Sequence, residues 1–144
     1  MKRVGLLATA RKKQNRPAPV HSFYTSTLFQ KSIAYAAQYY DTLYFYNAKD
    51  GLLFPDTIMQ PYDVSIRSLS SGQKLEWADR IVKQLSRHEP AGECSVFLHG
   101  GKVYRDYLEP ALQKAGFSFE VPLQGLGIGR QLSWYSDRLE RRSL

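Results

Sequence analysis

Two features of this 144-residue chain predict a single three-layer α/β/α domain, residues 1–144, built on a four-stranded, mainly parallel sheet. Short apolar runs without polar alternation, the pattern of strands covered on both faces, recur four times. Between them lie stretches whose apolar residues repeat at helical spacing, and parallel neighbours need such long, right-handed crossovers.

Val4 to Thr9 is the first of the strands, and the charges and prolines of the Arg11–Pro19 stretch that follows make it a cationic loop. Thr25 or Ser26 can cap a helix through Gln38 or beyond, with Phe29, Ile33, Ala36, Ala37 and Tyr40 as its apolar stripe. Thr42 to Tyr46, aromatic and β-branched, is the second strand. It stops at Asn47-Ala48-Lys49-Asp50-Gly51, where Gly51 supplies the positive φ of a sharp reversal. Pro55 and Pro61 then keep the chain out of helix and central strand. Ser70-Ser71-Gly72 opens a helix with Leu75, Ala78, Ile81, Val82 and Leu85 on one face and Trp77 packing beside them. After a turn at 89–92, Ser95 to Leu98 is the third strand and ends in His99-Gly100-Gly101. The next helix carries Tyr104, Tyr107, Leu108, Ala111, Leu112 and Ala115 on its apolar side, and Gly116 caps it. Phe117 to Val121 is the fourth strand, and the glycine-spaced loop 124–129 leads to a last helix through Gln131, Trp134 and Arg138. That loop has the spacing of a dinucleotide fingerprint but follows the last strand, so no cofactor is expected.

Composition narrows the function classes. Hydrophobic residues make up 43% of the chain without any long apolar run, which excludes disorder and a membrane span. The opening Met-Lys-Arg-Val-Gly-Leu-Leu-Ala has too short an apolar segment for a signal peptide, so a cytoplasmic protein is expected. Cys94 is the only cysteine; it excludes a disulfide framework and a cysteine-based zinc site within one chain and reads as core filler. His21, His88 and His99 lie far apart without ligand spacing, and no metal site is expected. Twenty Lys and Arg against thirteen Asp and Glu give a formal charge of +7, which favours a polyanionic partner: nucleic acid, and DNA first. No membrane partner and no obligate protein partner is evident.

In a parallel sheet every strand-to-helix loop lies at the carboxyl edge, where open α/β folds bind ligands. Those loops are the richer ones here: the basic 10–24 segment, Asn47–Asp63, the His99-Gly100-Gly101 turn and Gln124–Gln131. The opposite loops are short and plain, and solvation alone does not explain the asymmetry. Asn47, Asp50, Gly100 and Gln131 are therefore expected around one cleft.

Four ordered segments, Y-T-S-T-L-F-Q-K-S-I-A-Y-A, N-A-K-D-G-L-L-F-P-D, Q-P-Y-D and G-L-G-I-G-R-Q-L-S-W, resemble a family of small bacterial and phage proteins. That family usually reads S-A-K-H-G-L-L in the second segment and is distantly akin to the peroxide-stress YaaA proteins. A more remote likeness, of architecture alone, is to the uracil-DNA glycosylases. The resemblance implies nucleic-acid or base-modification chemistry. Two departures stand out: the early loop has Thr9-Ala10-Arg11-Lys12-Lys13 where the family usually carries a cysteine and lysines, and Asp50 stands where it usually has histidine.

Two functions follow. The first is a DNA glycosylase-like hydrolase that extrudes a modified or damaged base into the carboxyl-edge pocket, in repair or phage defence. Asp50 would be the carboxylate that orients water or stabilises the oxocarbenium ion, with Asn47 and Lys49 as donors or water positioners. Gly100 and Gly101 let backbone approach the substrate, Gln131 reads the base edge, and Tyr24 or Tyr62 stacks on the base, Tyr62 being equally a core aromatic. Arg11, Lys12, Lys13 and Arg16 would hold phosphates. Asp63 is either a second carboxylate of the site or the cap of the turn after Pro61. The second function is a non-catalytic binder of nucleic acid or nucleotides.

Overall fold

A computed structural model describes residues 1–10 and 13–143. Strand β1 (Lys2–Ala8) is its centre, and residues 4, 6 and 7 along it are fully buried because the sheet is covered on both sides. A short pair then follows: β2 (Ala18–Pro19) and the single turn α1 (Val20–Phe23). Helix α2 (Thr27–Tyr39) is capped by the Ser26 side chain, which accepts from Phe29 N, and crosses to β3 (Thr42–Asn47), parallel to β1. Strand β4 (Gly51–Leu53) turns back antiparallel to β3, and β5 (Ile58–Met59) pairs with β2. Helix α3 (Ser71–His88) opens on a capping box between Ser70 and Gln73. Strand β6 (Cys94–His99) runs parallel to β1, α4 (Lys102–Lys114) leads to β7 (Ser118–Glu120), parallel to β6, and α5 (Ile128–Ser143) closes the chain.

The sheet order is β4-β3-β1-β6-β7, five strands rather than the expected four. The additional strand exists because Gly51, at φ +80, lets the chain reverse at once and lay Leu52 and Leu53 against Tyr46 and Phe45. Three residues are too few to display a periodicity. One face packs Val4, Leu6, Tyr44 and Tyr46 against Trp77, Ile81 and Leu85 of α3 and Leu108 and Leu112 of α4. The other packs Leu7 and Phe45 against Val20 and Phe23 of α1, Phe29 and Tyr35 of α2 and Tyr135 of α5. These are the three layers. Between β1 and α2 the fit is close, since a Cβ at Gly5 would stand 2.5 Å from the Tyr40 ring.

Three details depart from expectation. The 10–24 segment is not wholly loop: Val20, Phe23 and Tyr24 are completely buried, brought in by the β2–β5 pairing that the prolines tolerate at an edge. On α3 the inward residue is Trp77, at 2% exposure, while Leu75 is 57% exposed. The amino-edge loops are also less plain than they look, because buried Glu89 pairs with Lys2 at 2.8 Å and accepts from the Tyr44 hydroxyl at 2.7 Å. Cys94 is core, and burial pushes its thiol upward. Among the described residues no helix is long and apolar enough to cross a membrane.

Candidate functional site

Strand β3 delivers Asn47 to the carboxyl edge of the sheet and the reversal behind it holds Asp50 in the open. Asn47 is 3% exposed and its amide is used on both sides. Its Oδ1 accepts from the Asp50 backbone N–H at 2.6 Å, and its Nδ2 donates to Asp50 Oδ2 at 3.1 Å and to the Tyr62 hydroxyl at 3.2 Å. Its backbone carbonyl accepts from the Trp77 indole N–H at 2.9 Å. The turn is therefore clamped from the core, and one oxygen of an exposed carboxylate is fixed in direction. Asn47 positions Asp50 more than it faces solvent itself. Among the described residues Asp50 makes no ion pair.

Tyr62 joins this cluster. Its hydroxyl bonds to that of Tyr24 and is pushed well above the ordinary tyrosine range, first by burial and then by that bond. The Lys13 and Lys49 ammonium groups lie 4.6 Å and 5.5 Å from the centre of its ring, within cation–π range. Tyr24 has no exposed surface at all. It cannot stack on a substrate, and its role is to anchor the Tyr62 hydroxyl; the stacking expectation for Tyr24 is withdrawn.

Two adjoining hollows open along this edge. One, of about 120 Å³, is lined by Lys13, Asn47, Tyr62, Asp63 and Ser65. The other, of about 130 Å³, is lined by Ser26, Phe29, Ser32, His99, Gly100, Gly101, Gln131 and Tyr135. Thr9, Ala10 and Tyr104 line both. The single cleft expected is two neighbouring hollows on the same edge: Asn47 lines one, Gly100 and Gln131 line the other, and Asp50, bonded to Asn47, lines neither. Asp63 is exposed in the charged hollow, and Lys49 faces a separate groove with Trp77 and Arg80. Arg16 is exposed and lines neither hollow. Arg11 and Lys12 lie outside the described residues.

Sequence reasoning undervalued His99. The ring is 4% exposed, with Nε2 2.6 Å from the Tyr40 hydroxyl and Nδ1 2.6 Å from the Tyr135 hydroxyl. Burial pushes its pKa down to about 3, so the imidazole is neutral at physiological pH. A neutral ring has one donor and one acceptor, so one tyrosine donates to it and the other accepts. His99 is a keystone between α2, β6 and α5, unfit to deliver a proton near pH 7. A histidine at the end of a parallel strand was the available signal. Among the described residues no group of three or more His, Cys, Asp or Glu is arranged to hold a metal.

The glycines after it differ. A Cβ at Gly100 would fall 1.9 Å from the Tyr46 hydroxyl, itself buried and donating to the His99 carbonyl at 2.7 Å. Gly100→Ala is expected to destabilise the fold by about 2 kcal/mol through overpacking, read as a lower denaturation midpoint. A Cβ at Gly101 meets nothing within 4 Å, and Gly101→Ala should leave the midpoint unchanged.

A model of DUF6884, a family of unknown function, matches residues 4–137, which takes in every element from β1 to most of α5. The chain belongs to the DUF6884 family. No curated protein and no solved structure matches it.

Proposed function

We propose that this DUF6884 chain is a nucleic-acid-directed hydrolase of the DNA glycosylase type, cleaving the N-glycosidic bond of a modified or damaged base. The observation that carries this reading is the exposed Asp50 carboxylate, aimed by Asn47 and standing beside a tyrosine flanked by two lysines. Breaking an N-glycosidic bond builds positive charge on the sugar, and a fixed carboxylate stabilises that charge or orients the attacking water. Lys49 and Lys13 supply the positive field that a phosphate backbone seeks, and the formal charge of +7 acts in the same sense. Kinship with YaaA-type proteins and an architecture of the uracil-DNA glycosylase kind belong to this reading, as does a cytoplasmic role in repair or phage defence. The test is incubation with DNA from several sources, including phage DNA with modified bases, followed by mass spectrometry for a released base and abasic sites. DNA that is bound but never altered would count against hydrolysis.

A second reading, a non-catalytic binder of nucleic acid or nucleotides, is favoured by one observation. Asn47 Oδ1 and Nδ2 both bond within the turn, as a purely architectural Asx residue would.

Both readings share an expectation about charge. Replacing Arg11, Lys12, Lys13 and Arg16 together by Ala should weaken DNA binding for all sequences and flatten its dependence on salt. A salt slope equal to that of the wild type would reassign the segment to solubility.

A further inference from the structure

The two hollows differ in chemistry, and that difference says what kind of ligand fits them. Each, at about 130 and 120 Å³, is smaller than the roughly 300 Å³ at which clefts for whole small-molecule ligands begin. A ligand larger than one ring system has to use both.

Among the described residues the larger hollow has no Asp, Glu, Lys or Arg in its lining. A charged group placed there would meet no ionic partner, which a flat, neutral heterocycle does not need. Phe29 and Tyr104 offer apolar walls. Gln131 donates its Nε2 to the Leu126 carbonyl at 2.8 Å, which fixes the amide and leaves Oε1 to accept from a ligand edge. The smaller hollow is charged. Lys13 lines it together with Asp63, and Lys49, which lines the neighbouring groove, approaches the same Tyr62 ring.

Tyr104 is the aromatic member of the wall that the two share, with Thr9 and Ala10 beside it. It is half-buried in the first turn of α4, with its ring packed edge-on to Tyr46 at 5.5 Å and tilted against Trp77 at 5.9 Å, both fully sequestered. A partition seated on two buried aromatics has little freedom to yield. It fixes how far apart the uncharged and charged parts of a ligand must be.

We infer that the two hollows hold one nucleotide between them, the base in the uncharged hollow and the phosphate in the charged one, with Tyr104 as the residue that sets this spacing. The inference rests on the nucleic-acid-directed reading above and narrows it to the unit recognised. Tyr104 thereby becomes a specificity-determining residue, a role its place on the apolar side of a helix concealed.

The four deoxynucleosides, their 5′-monophosphates and inorganic phosphate serve as probes, followed by calorimetry and by tryptophan fluorescence, since Trp77 packs on Tyr104 and Trp134 on Tyr135. At least one monophosphate should bind about tenfold or more tighter than either its nucleoside or phosphate alone, because linking the two parts makes the second contact intramolecular. Lys13→Ala should remove the advantage of the monophosphate over the nucleoside. Tyr104→Leu, which stays apolar but is smaller and loses the flat ring, should weaken the nucleoside by about tenfold and also shrink the gain from joining base and phosphate. Tyr104→Phe, which keeps the ring, should bind both as the wild type does and guards against a folding artefact. The inference is overturned if no probe binds at millimolar concentration, if joining base and phosphate brings no gain, or if Tyr104→Leu binds normally. Release of a base from DNA by a wild type with no preference for monophosphates would sink this inference alone. Monophosphate binding as described, with no base released from any DNA, would sink the hydrolase reading alone.

Discussion

Asp50→Asn is expected to lower the rate of base release by roughly a hundredfold or more, the scale seen when a preorganised electrostatic group is lost. Affinity for DNA should change far less, because Asp50 faces an uncharged sugar in the ground state and a cationic one in the transition state. Its attraction is spent on the latter. Removing a negative charge near phosphates should if anything tighten binding. The geometry adds a second arm: Asn47 Oδ1 holds the Asp50 backbone at 2.6 Å and its Nδ2 holds Oδ2 at 3.1 Å, so Asn47→Ala releases the carboxylate from its direction. Turnover should fall in that variant too, and the double variant should lose little beyond the Asp50 substitution, since both act through one carboxylate. Single-turnover measurements on a DNA that the wild type processes decide the matter. Near-normal rates in Asp50→Asn would remove the assigned role and make Asp63, the other exposed carboxylate at this edge, the next to replace.

The layers and the parallel core were legible because they follow from pattern. Leu7, Phe45 and Ala36 on one side, and Val4, Ile81 and Leu112 on the other, sit where apolar periodicity puts them. The reversal at Asn47–Gly51 was legible because only certain residues make it. What stayed hidden depends on partners distant in sequence. Nothing near Tyr24 announces that β2 and β5 will pair and seal it at zero exposure. Trp77 replaces Leu75 as the inward residue because its indole N–H finds the Asn47 carbonyl, a bond spanning 30 residues. His99 needed two tyrosines, 59 and 36 residues away, to become a clamped neutral ring. Edge location was readable from topology; the division of that edge into an uncharged and a charged hollow was not.

His99 also sets an expectation for stability against pH. Its folded pKa, about 3, lies below the 6.5 of an unfolded histidine. Between those values the unfolded chain binds a proton that the folded chain refuses. Stability is therefore full above pH 6.5 and is lost as pH falls toward 3, with a slope approaching 1.4 kcal/mol per pH unit, or about 3 kcal/mol by pH 4.5. The groups that face the ring, Tyr40, Tyr135 and, one bond further, Tyr35, have hydroxyls pushed upward mainly by burial, so they stay protonated throughout this window and do not contribute. Urea denaturation at half-unit steps from pH 7.5 to 4.5 reads the slope directly. His99→Gln gives up part of the tyrosine clamp and should be less stable at pH 7, yet its stability should fall less steeply with acid because glutamine takes up no proton. The two curves should converge as pH drops. Parallel curves for wild type and His99→Gln would mean that the acid sensitivity arises elsewhere and that His99 accepts its proton while folded.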